Sequence, residues 1–346
     1  MTQKKAILLV NVGTPDAPEK DAVKKYLTGF LNDKYVIDLP WLLRKILVNL
    51  IIIPSRVNRS TSLYRQLWTD RGSPLLYNMN SIIKKLSALA GEKYLFKGAM
   101  RYGSPSLDNA INEIKEAGIE EMIVLPLYPH YTFSTTETLK NYLLMRDDLD
   151  KIRISIVDQF YNHHAYINAF IAKIKSFDYT GYDHIIFSYH GLPLRHIRKV
   201  HPQINPLECN CEKEMPVHGR MCYRAACYDT TRQMAARLCL DERMYSTSFQ
   251  SRLSRNWMEP FTDEIIRQRA LMGDKKIMVV APSFVSDCLE TTIEIGVEYN
   301  ELFGEMGGDR LDLVESLNDS DEWIGSIIEI IGSAVPLVLT QFGSNY

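Results

Sequence analysis

The sequence predicts an α/β protein built of two similar lobes, each a four-stranded parallel sheet flanked by helices. Three observations lead there. Short, apolar, β-rich runs alternate with amphipathic helical stretches, the pattern of a parallel sheet covered by helices on both faces. These runs fall into two sets of four. The chain has 346 residues, more than one ordinary core holds and enough for two domains of about 150–200 residues each.

The first set of strands is expected near Ala6–Val12, Tyr94–Met100, Met122–Tyr128 and Arg153–Val157. The second is expected near His184–His190, Met244–Phe249, Lys276–Ala281 and Leu311–Glu315. Turn residues between Phe177 and Asp183 mark the join. The expected division is an N-terminal lobe over 1–175, a C-terminal lobe over 176–320 with a cysteine-rich insert, and a last segment over 321–346. The apolar stretch Trp323–Thr340 should be helical as far as Pro336 and pack back on the first lobe. Sheets of this kind bind ligands beyond the carboxyl ends of their strands, and a cleft between lobes is the default pocket.

Composition excludes several classes. Charged residues make up 24% and aromatics 10%, as in a folded chain and not a disordered one. Forty basic against 42 acidic side chains leave a net charge of −2, which speaks against a nucleic-acid partner held by bulk positive charge. The opening MTQKKAILLVNV has too short an apolar run for a signal peptide. A cytoplasmic location follows as an expectation, where stable disulfides are disfavoured. No apolar run reaches the ~18 residues of a membrane span. The nearest is Trp41–Pro54, WLLRKILVNLIIIP, broken by Arg44, Lys45 and Asn49. It reads either as a core helix or as an exposed apolar lip that touches a membrane surface or a greasy ligand.

The strand ends carry the chemistry. The first runs into Asn11-Val12-Gly13-Thr14-Pro15, a turn that is neither GxGxxG nor a Walker loop, so no nucleotide site is read there. The fifth ends in Ser188-Tyr189-His190-Gly191-Leu192-Pro193. A neutral imidazole at that position can accept a proton near pH 7, and Gly191 and Pro193 would hold the ring at the strand tip. After the seventh strand, Glu290, Glu294 and Glu298 recur at i, i+4 and i+8, on roughly one face of a helix. No Lys or Arg occurs from Val279 to Asp309. The carboxylates therefore read either as an acidic surface face or as oxygen ligands for a divalent cation in transit.

Four of the six cysteines, Cys209, Cys211, Cys222 and Cys227, form a C-x-C-x10-C-x4-C window. Four thiolates in a short, loop-rich insert suit zinc or an iron–sulfur cluster. His201 and His218 lie nearby and read as surface histidines, with ligation as the alternative. Cys239, in QMAARLCL, reads as core packing.

Six blocks, in order along nearly the whole chain, carry a resemblance: LLVNVGTPDAP (8–18), SPLLYN (73–78), LYPHYTFSTT (127–136), FSYHGLP (187–193), SFQSRLSRNWMEPFTDE (248–264) and APSFVSDCLETTIEIGVEY (281–299). Together they resemble ferrochelatase, a lyase of heme biosynthesis. The resemblance implies two Rossmann-like lobes of chelatase type and insertion of ferrous iron into protoporphyrin IX, giving protoheme. It implies His190 as the active-site histidine, Glu290 as its catalytic partner, and Glu294 and Glu298 as further acidic positions on the iron path. It implies porphyrin contacts at Val12, Tyr64, Arg101, Tyr102 and Trp257. The cysteine window looks like that of bacterial members with an internal 2Fe-2S cluster on four cysteines. One departure stands out: many members have a histidine where this chain has Cys288, which reads as packing in preference to a soft ligand.

The implied partners are porphyrin and ferrous iron, with peripheral contact to the cytoplasmic membrane or to the preceding heme-pathway enzyme through the apolar lip. Two competing functions are a coproporphyrin III ferrochelatase and a non-catalytic heme- or porphyrin-binding sensor. Some coproporphyrin-using relatives have tyrosine where this chain has Val12, and His190 with Glu290 argues for an enzyme.

Overall fold

A computed structural model of the chain describes residues 4–206, 208–333 and 337–338. The chain divides into two compact units. One holds the residues up to Gln159 together with the segment from Ile327 onward, and the other is Phe160–Ser326.

In the first unit, β1 (Lys5–Thr14), β2 (Tyr94–Gly103), β3 (Glu121–Pro126) and β4 (Arg153–Ile156) form a parallel sheet in the order β2-β1-β3-β4. Its helices are α1 (Lys20–Leu31), α2 (Trp41–Ile46), α3 (Ile53–Leu67), α4 (Pro74–Ala90), α5 (Leu107–Glu116) and α6 (Thr138–Leu144). The central strand β1 is apolar almost without alternation because both its faces are covered. On one face Ala6, Leu8 and Val10 pack with Leu107, Ile111 and Ile114 of α5 and Leu139 and Leu143 of α6.

The stretch read as core helix or lip is both. It forms α2, the π-helical turns Leu47–Ile52 and the start of α3 in one continuous helical run. Val48 and Ile53 are buried and anchor it, whereas Trp41 (65% exposed), Leu42 (59%), Leu50 (71%) and Ile51 (58%) face solvent. Among the described residues no helix is long and apolar enough to cross a membrane.

In the second unit, β5 (His184–His190), β6 (Tyr245–Gln250), β7 (Lys276–Val280) and β8 (Arg310–Leu313) repeat the same plan, in the order β6-β5-β7-β8. The helices are α7 (His164–Lys175), α8 (Leu194–Val200), α9 (Tyr223–Leu238), α10 (Thr262–Leu271) and α11 (Asn300–Glu305), with an eleven-residue π-helix over Leu289–Tyr299. Ile186, Ile277 and Val279 of the sheet pack with Ile266 of α10, Ile295 and Tyr299 of the π-helix, and Phe303 of α11. The chain then passes through α12 (Asp321–Ser333) to β9 (Leu337–Val338), which pairs antiparallel with Ser155 and Ile156 of β4.

All eight expected strands are present, and the alternation that predicted them is the reason: each is a buried run between covering helices. The division differs from the expected 175/176. Helix α7 packs in the second unit, where the Tyr166 hydroxyl donates to the Pro282 carbonyl at 2.6 Å. The last helix is described as far as Ser333, and residues 334–336 and 339–340 of the stretch expected to continue it lie outside the described residues. Cys239 is not core packing. It follows the end of α9 in the left-handed conformation, φ 54°, and its side chain is exposed.

Candidate functional site

The repeated strand order places the chemistry. In each sheet the first strand has its next two neighbours in sequence on opposite sides, a topological switch point, and ligands bind beyond the carboxyl ends of strands there. These points are the ends of β1 and β5, where Val12 and His190 stand.

In the second unit, the turn after β5 is closed by the Gly191 N–H donating to the Gln250 carbonyl at 2.8 Å. A Cβ at Gly191 would lie 2.9 Å from that oxygen, so the tight turn needs glycine. His190 Nδ1 sits 2.7 Å from the Gly191 carbonyl. A carbonyl only accepts, so Nδ1 carries a proton, and in the neutral form of the ring the lone pair is on Nε2. The His190 N–H donates to Ser283 Oγ at 3.3 Å, and its carbonyl accepts from the Tyr223 hydroxyl at 2.9 Å. The Trp257 and Phe284 rings flank the imidazole, each with centroids 6.3 Å away.

The acidic series lies on the π-helix, whose i→i+5 hydrogen bonds widen each turn. Glu290, Glu294 and Glu298 are half-buried along it. Cys288 caps this helix: its N–H donates to Thr291 Oγ1 at 3.0 Å and its sulfur accepts from the Thr291 backbone. Burial and the neighbouring Glu290 charge push its thiol well above the usual cysteine range, so it remains a thiol at neutral pH.

Glu294 is not an open ligand. One oxygen accepts from Ser251 N (2.8 Å) and the Tyr299 hydroxyl (2.9 Å), the other from Ser251 Oγ (2.5 Å) and Gln250 Nε2 (3.1 Å). These bonds hold Ser251 at φ 61°. Burial raises the Glu294 pKa against the opposing pull of Ser251 and the His190 charge. With the folded value above the ordinary 4.5, the stability gained by protonation is present at low pH and lost as pH rises through the folded value. In Glu294→Gln that loss should vanish, so wild-type melting temperature should fall relative to the variant as pH rises above 4.5. A difference independent of pH would refute the assignment.

In the first unit, Asp33, in the loop after α1, collects the side chains at the end of β2. Its Oδ2 accepts from Thr138 Oγ1 (2.6 Å), the Tyr102 hydroxyl (2.7 Å) and Arg101 Nη2 (3.0 Å). Arg101 and Tyr102 are therefore held in place, and burial with the Asp33 charge raises the Tyr102 phenol. Tyr64 reaches the same region through an aromatic row: Tyr64–Tyr26 at 6.2 Å, Tyr26–Phe30 at 6.2 Å and Phe30–Tyr102 at 5.4 Å between centroids. Val12 is half-buried beside Gly13, whose φ is +133° and whose Cβ would lie 1.8 Å from the Tyr102 carbonyl.

The cysteine window folds between α8 and the first turns of α9. Cys211, Cys222 and Cys227 are buried and Cys209 is half-buried. They are close enough that Cys209 and Cys222 bear on Cys211, and Cys222 and Cys211 on Cys227. Burial pushes Cys211 up to about 12 and Cys227 well above the usual range. Arg224 Nη1 donates to Cys211 Sγ at 2.8 Å. The expectation that His201 and His218 are surface residues is corrected. His201 is buried with Nε2 3.2 Å from Cys222 Sγ, and His218 Nε2 lies 3.3 Å from Cys209 Sγ. The loop turns both rings inward onto the thiols.

The sequence pointed to His190, Trp257, Val12 and the glutamates, but not to Asp33, Tyr26, Gln250, Ser251, Ser283 or Tyr223. Gln250, Ser251 and Ser283 carried a signal, since they lie within the SFQSRLSRNWMEPFTDE and APSFVSDCLETTIEIGVEY blocks.

The fold is similar to that of SirB from Bacillus subtilis with Fe3+, with a TM-score of 0.53 at 10% identity over 95% of each chain. It is also similar to the sirohydrochlorin chelatase SirB of Bacillus subtilis subspecies spizizenii in complex with cobalt, with a TM-score of 0.52 at 10% identity, covering 94% and 93% of the chains. Two units of one strand order, with an imidazole and carboxylates at the strand ends of the second, define the class as an α/β protein of chelatase type. The chain belongs to the ferrochelatase family, whose profile matches residues 4–335. It is 38% identical to a ferrochelatase of Coxiella burnetii over 96% of this chain and 95% of that one, and 38% identical to one of Legionella pneumophila over 96% and 100%. Its activity is that of a lyase inserting iron into porphyrin, the final step of heme biosynthesis.

Proposed function

We propose that the porphyrin is protoporphyrin IX, that the metal is ferrous iron, and that His190 is the proton acceptor. The observation that carries the base assignment is the Nδ1 contact with the Gly191 carbonyl at 2.7 Å, which leaves Nε2 of the neutral ring as the proton acceptor, while Val12, where some coproporphyrin-using relatives have tyrosine, supports protoporphyrin IX. A free porphyrin holds two pyrrole N–H protons in a flat ring, and iron cannot reach the nitrogens while they point inward. A bent ring exposes the nitrogen lone pairs, with the strain offset by burial of its large apolar face. Nε2 takes the released proton, with Glu290 as its catalytic partner. Glu290, Glu294 and Glu298 form the oxygen path for iron, and Glu294 can join it only by giving up donors from Ser251 or Gln250. Val12, Tyr64 and Trp257 contact the ring, while Arg101 and Tyr102, committed to Asp33, shape the end of β2.

The test is anaerobic incubation with ferrous iron and each porphyrin in turn, following loss of porphyrin fluorescence. Quenching with protoporphyrin IX is expected. Quenching with coproporphyrin III alone would favour that substrate, and tight binding without turnover would favour a sensor.

Cys209, Cys211, Cys222 and Cys227 fit a 2Fe-2S cluster by the chemistry of the donor set: soft sulfur, mostly buried, beside the Arg224 cation. When bound, such a cluster supplies a one-electron centre and a cross-link of the loop. Iron insertion exchanges protons for a metal ion without electron transfer, so its role here is structural.

The exposed face of α2 and the following turns supports peripheral membrane contact. Leu50→Glu with Ile51→Glu should abolish co-sedimentation with vesicles of anionic lipid while turnover on detergent-dispersed porphyrin stays within about twofold. Absent binding by the wild type would leave docking to the preceding enzyme as the reading.

A further inference from the structure

We infer that Asn318 is a positioning residue for iron insertion. It clamps, through a reciprocal pair with Asp287, the loop that touches the proposed base His190 at one end and leads into Glu290 at the other; this rests on the proposal above that Glu290 partners His190. Residues 281–288 run from the end of β7 to the π-helix without regular structure. Near the start of this loop, Ser283 Oγ accepts from the His190 N–H at 3.3 Å. At its end Cys288 caps the π-helix, and Glu290 stands in the first turn. The seating of the loop therefore sets the spacing between imidazole and carboxylate.

The loop is held by the segment that follows β8. The Asn318 N–H donates to the Val285 carbonyl at 2.9 Å. The Asp287 N–H donates to Asn318 Oδ1 at 2.9 Å, and Asn318 Nδ2 donates to Asp287 Oδ2 at 2.7 Å. The other Asp287 oxygen accepts from the Ser316 N–H at 3.1 Å. A carboxylate only accepts, so a single orientation of the Asn318 amide satisfies both bonds. The clamp has a fixed base: Leu317 beside it is fully buried, and the Ser320 N–H turns back onto the Leu317 carbonyl at 3.1 Å. Asn318 itself stands at φ 49°, in the left-handed region that asparagine enters more readily than most residues. Two demands thus meet at one position, a left-handed backbone and a side chain that gives one hydrogen bond and takes another. Glycine meets only the first. Aspartate fails the second, because two like charges would face each other.

The experiment measures kcat and the KM for ferrous iron and for protoporphyrin in wild type, Asn318→Gly, Asn318→Asp, and the exchange Asn318→Asp with Asp287→Asn. The exchange reverses the pair: the amide at 287 donates to the carboxylate at 318, whose second oxygen takes the 287 N–H, and the amide oxygen takes the Ser316 N–H. Amide hydrogen exchange over 283–291 reports the loop, and thermal melting reports the fold. Since a misplacement of about 1 Å can cost about 10²-fold in rate, Asn318→Gly and Asn318→Asp should lower kcat by about ten- to a hundredfold. KM for protoporphyrin should change little. Hydrogen exchange should quicken over 283–291 and not in β7, and the exchange variant should recover most of kcat. Full kcat in a folded Asn318→Gly overturns the proposal, as does a loss that the exchange fails to recover or one that merely follows the fraction folded. If Asn318→Gly does not fold, Asn318→Asp against the exchange decides. Glu290→Gln is assayed beside them. Normal turnover there would sink the reading of Glu290, while the Asn318 set still passes or fails by itself.

Discussion

His190→Ala should lower kcat for iron insertion by about 10²–10⁴, the usual contribution of a positioned acid–base group, while porphyrin still binds. The backbone around this residue is held without the imidazole: the Gly191 N–H bonds to Gln250, the His190 N–H to Ser283, and the His190 carbonyl to Tyr223. The substitution therefore removes the acceptor and leaves β5 in place. Trp257, one wall of the ring's surroundings, also stays tied to the turn through Pro193. Porphyrin binding, read from quenching of tryptophan fluorescence, should change little, and turnover should nearly vanish. Near-normal turnover would remove His190 as the base.

Cys222→Ser should have the second large effect, on folding and not on chemistry. Cys222 precedes α9 as its N-cap residue, and its carbonyl accepts the first helical bond from Ala226 at 2.9 Å. Serine is among the preferred N-cap residues, so the helix start survives the change. What is lost is one of four sulfur donors. If the centre cross-links the loop, iron and sulfide content should collapse and the yield of folded protein should drop several-fold, because metal binding in such sites is also folding free energy. The measurements are metal analysis, visible absorption and thermal melting. A stable, colourless and fully active variant would show that the centre does not support the fold.

The sheets were the most legible part of the molecule. β1 and β5 are long apolar runs between helices, and that signal is local. β9 was not legible, because two residues carry no periodicity. The π-helix was hidden for another reason: the i+4 recurrence of Glu290, Glu294 and Glu298 suits an ordinary helical face equally well. The site was legible where one residue carries the chemistry, as with His190 before Gly191. It was illegible where a role depends on partners distant in sequence. Asp33 looks like any loop aspartate until Arg101, Tyr102 and Thr138 meet its carboxylate. Glu294 looks like a ligand until Ser251 and Gln250 occupy it. His201 lies 21 residues from Cys222 in sequence, and only the folded loop makes them neighbours.

The short pairing of β9 with β4 has a consequence for how the protein avoids self-association. A bare strand edge offers unpaired N–H and C=O groups on which another chain can template itself. In the first unit that edge, at Ser155 and Ile156, is covered by Leu337 and Val338. In the second, the outermost strand β8 carries Arg310 and Asp312, paired with each other at 2.5 Å, and charge of this kind discourages a docking strand. The duplicated sheets thus guard the same vulnerability differently, one with a piece of chain and the other with side-chain charge. Removing the residues that form β9 would open the β4 border of the first sheet, a template for aggregation that the charged β8 border of the second does not present.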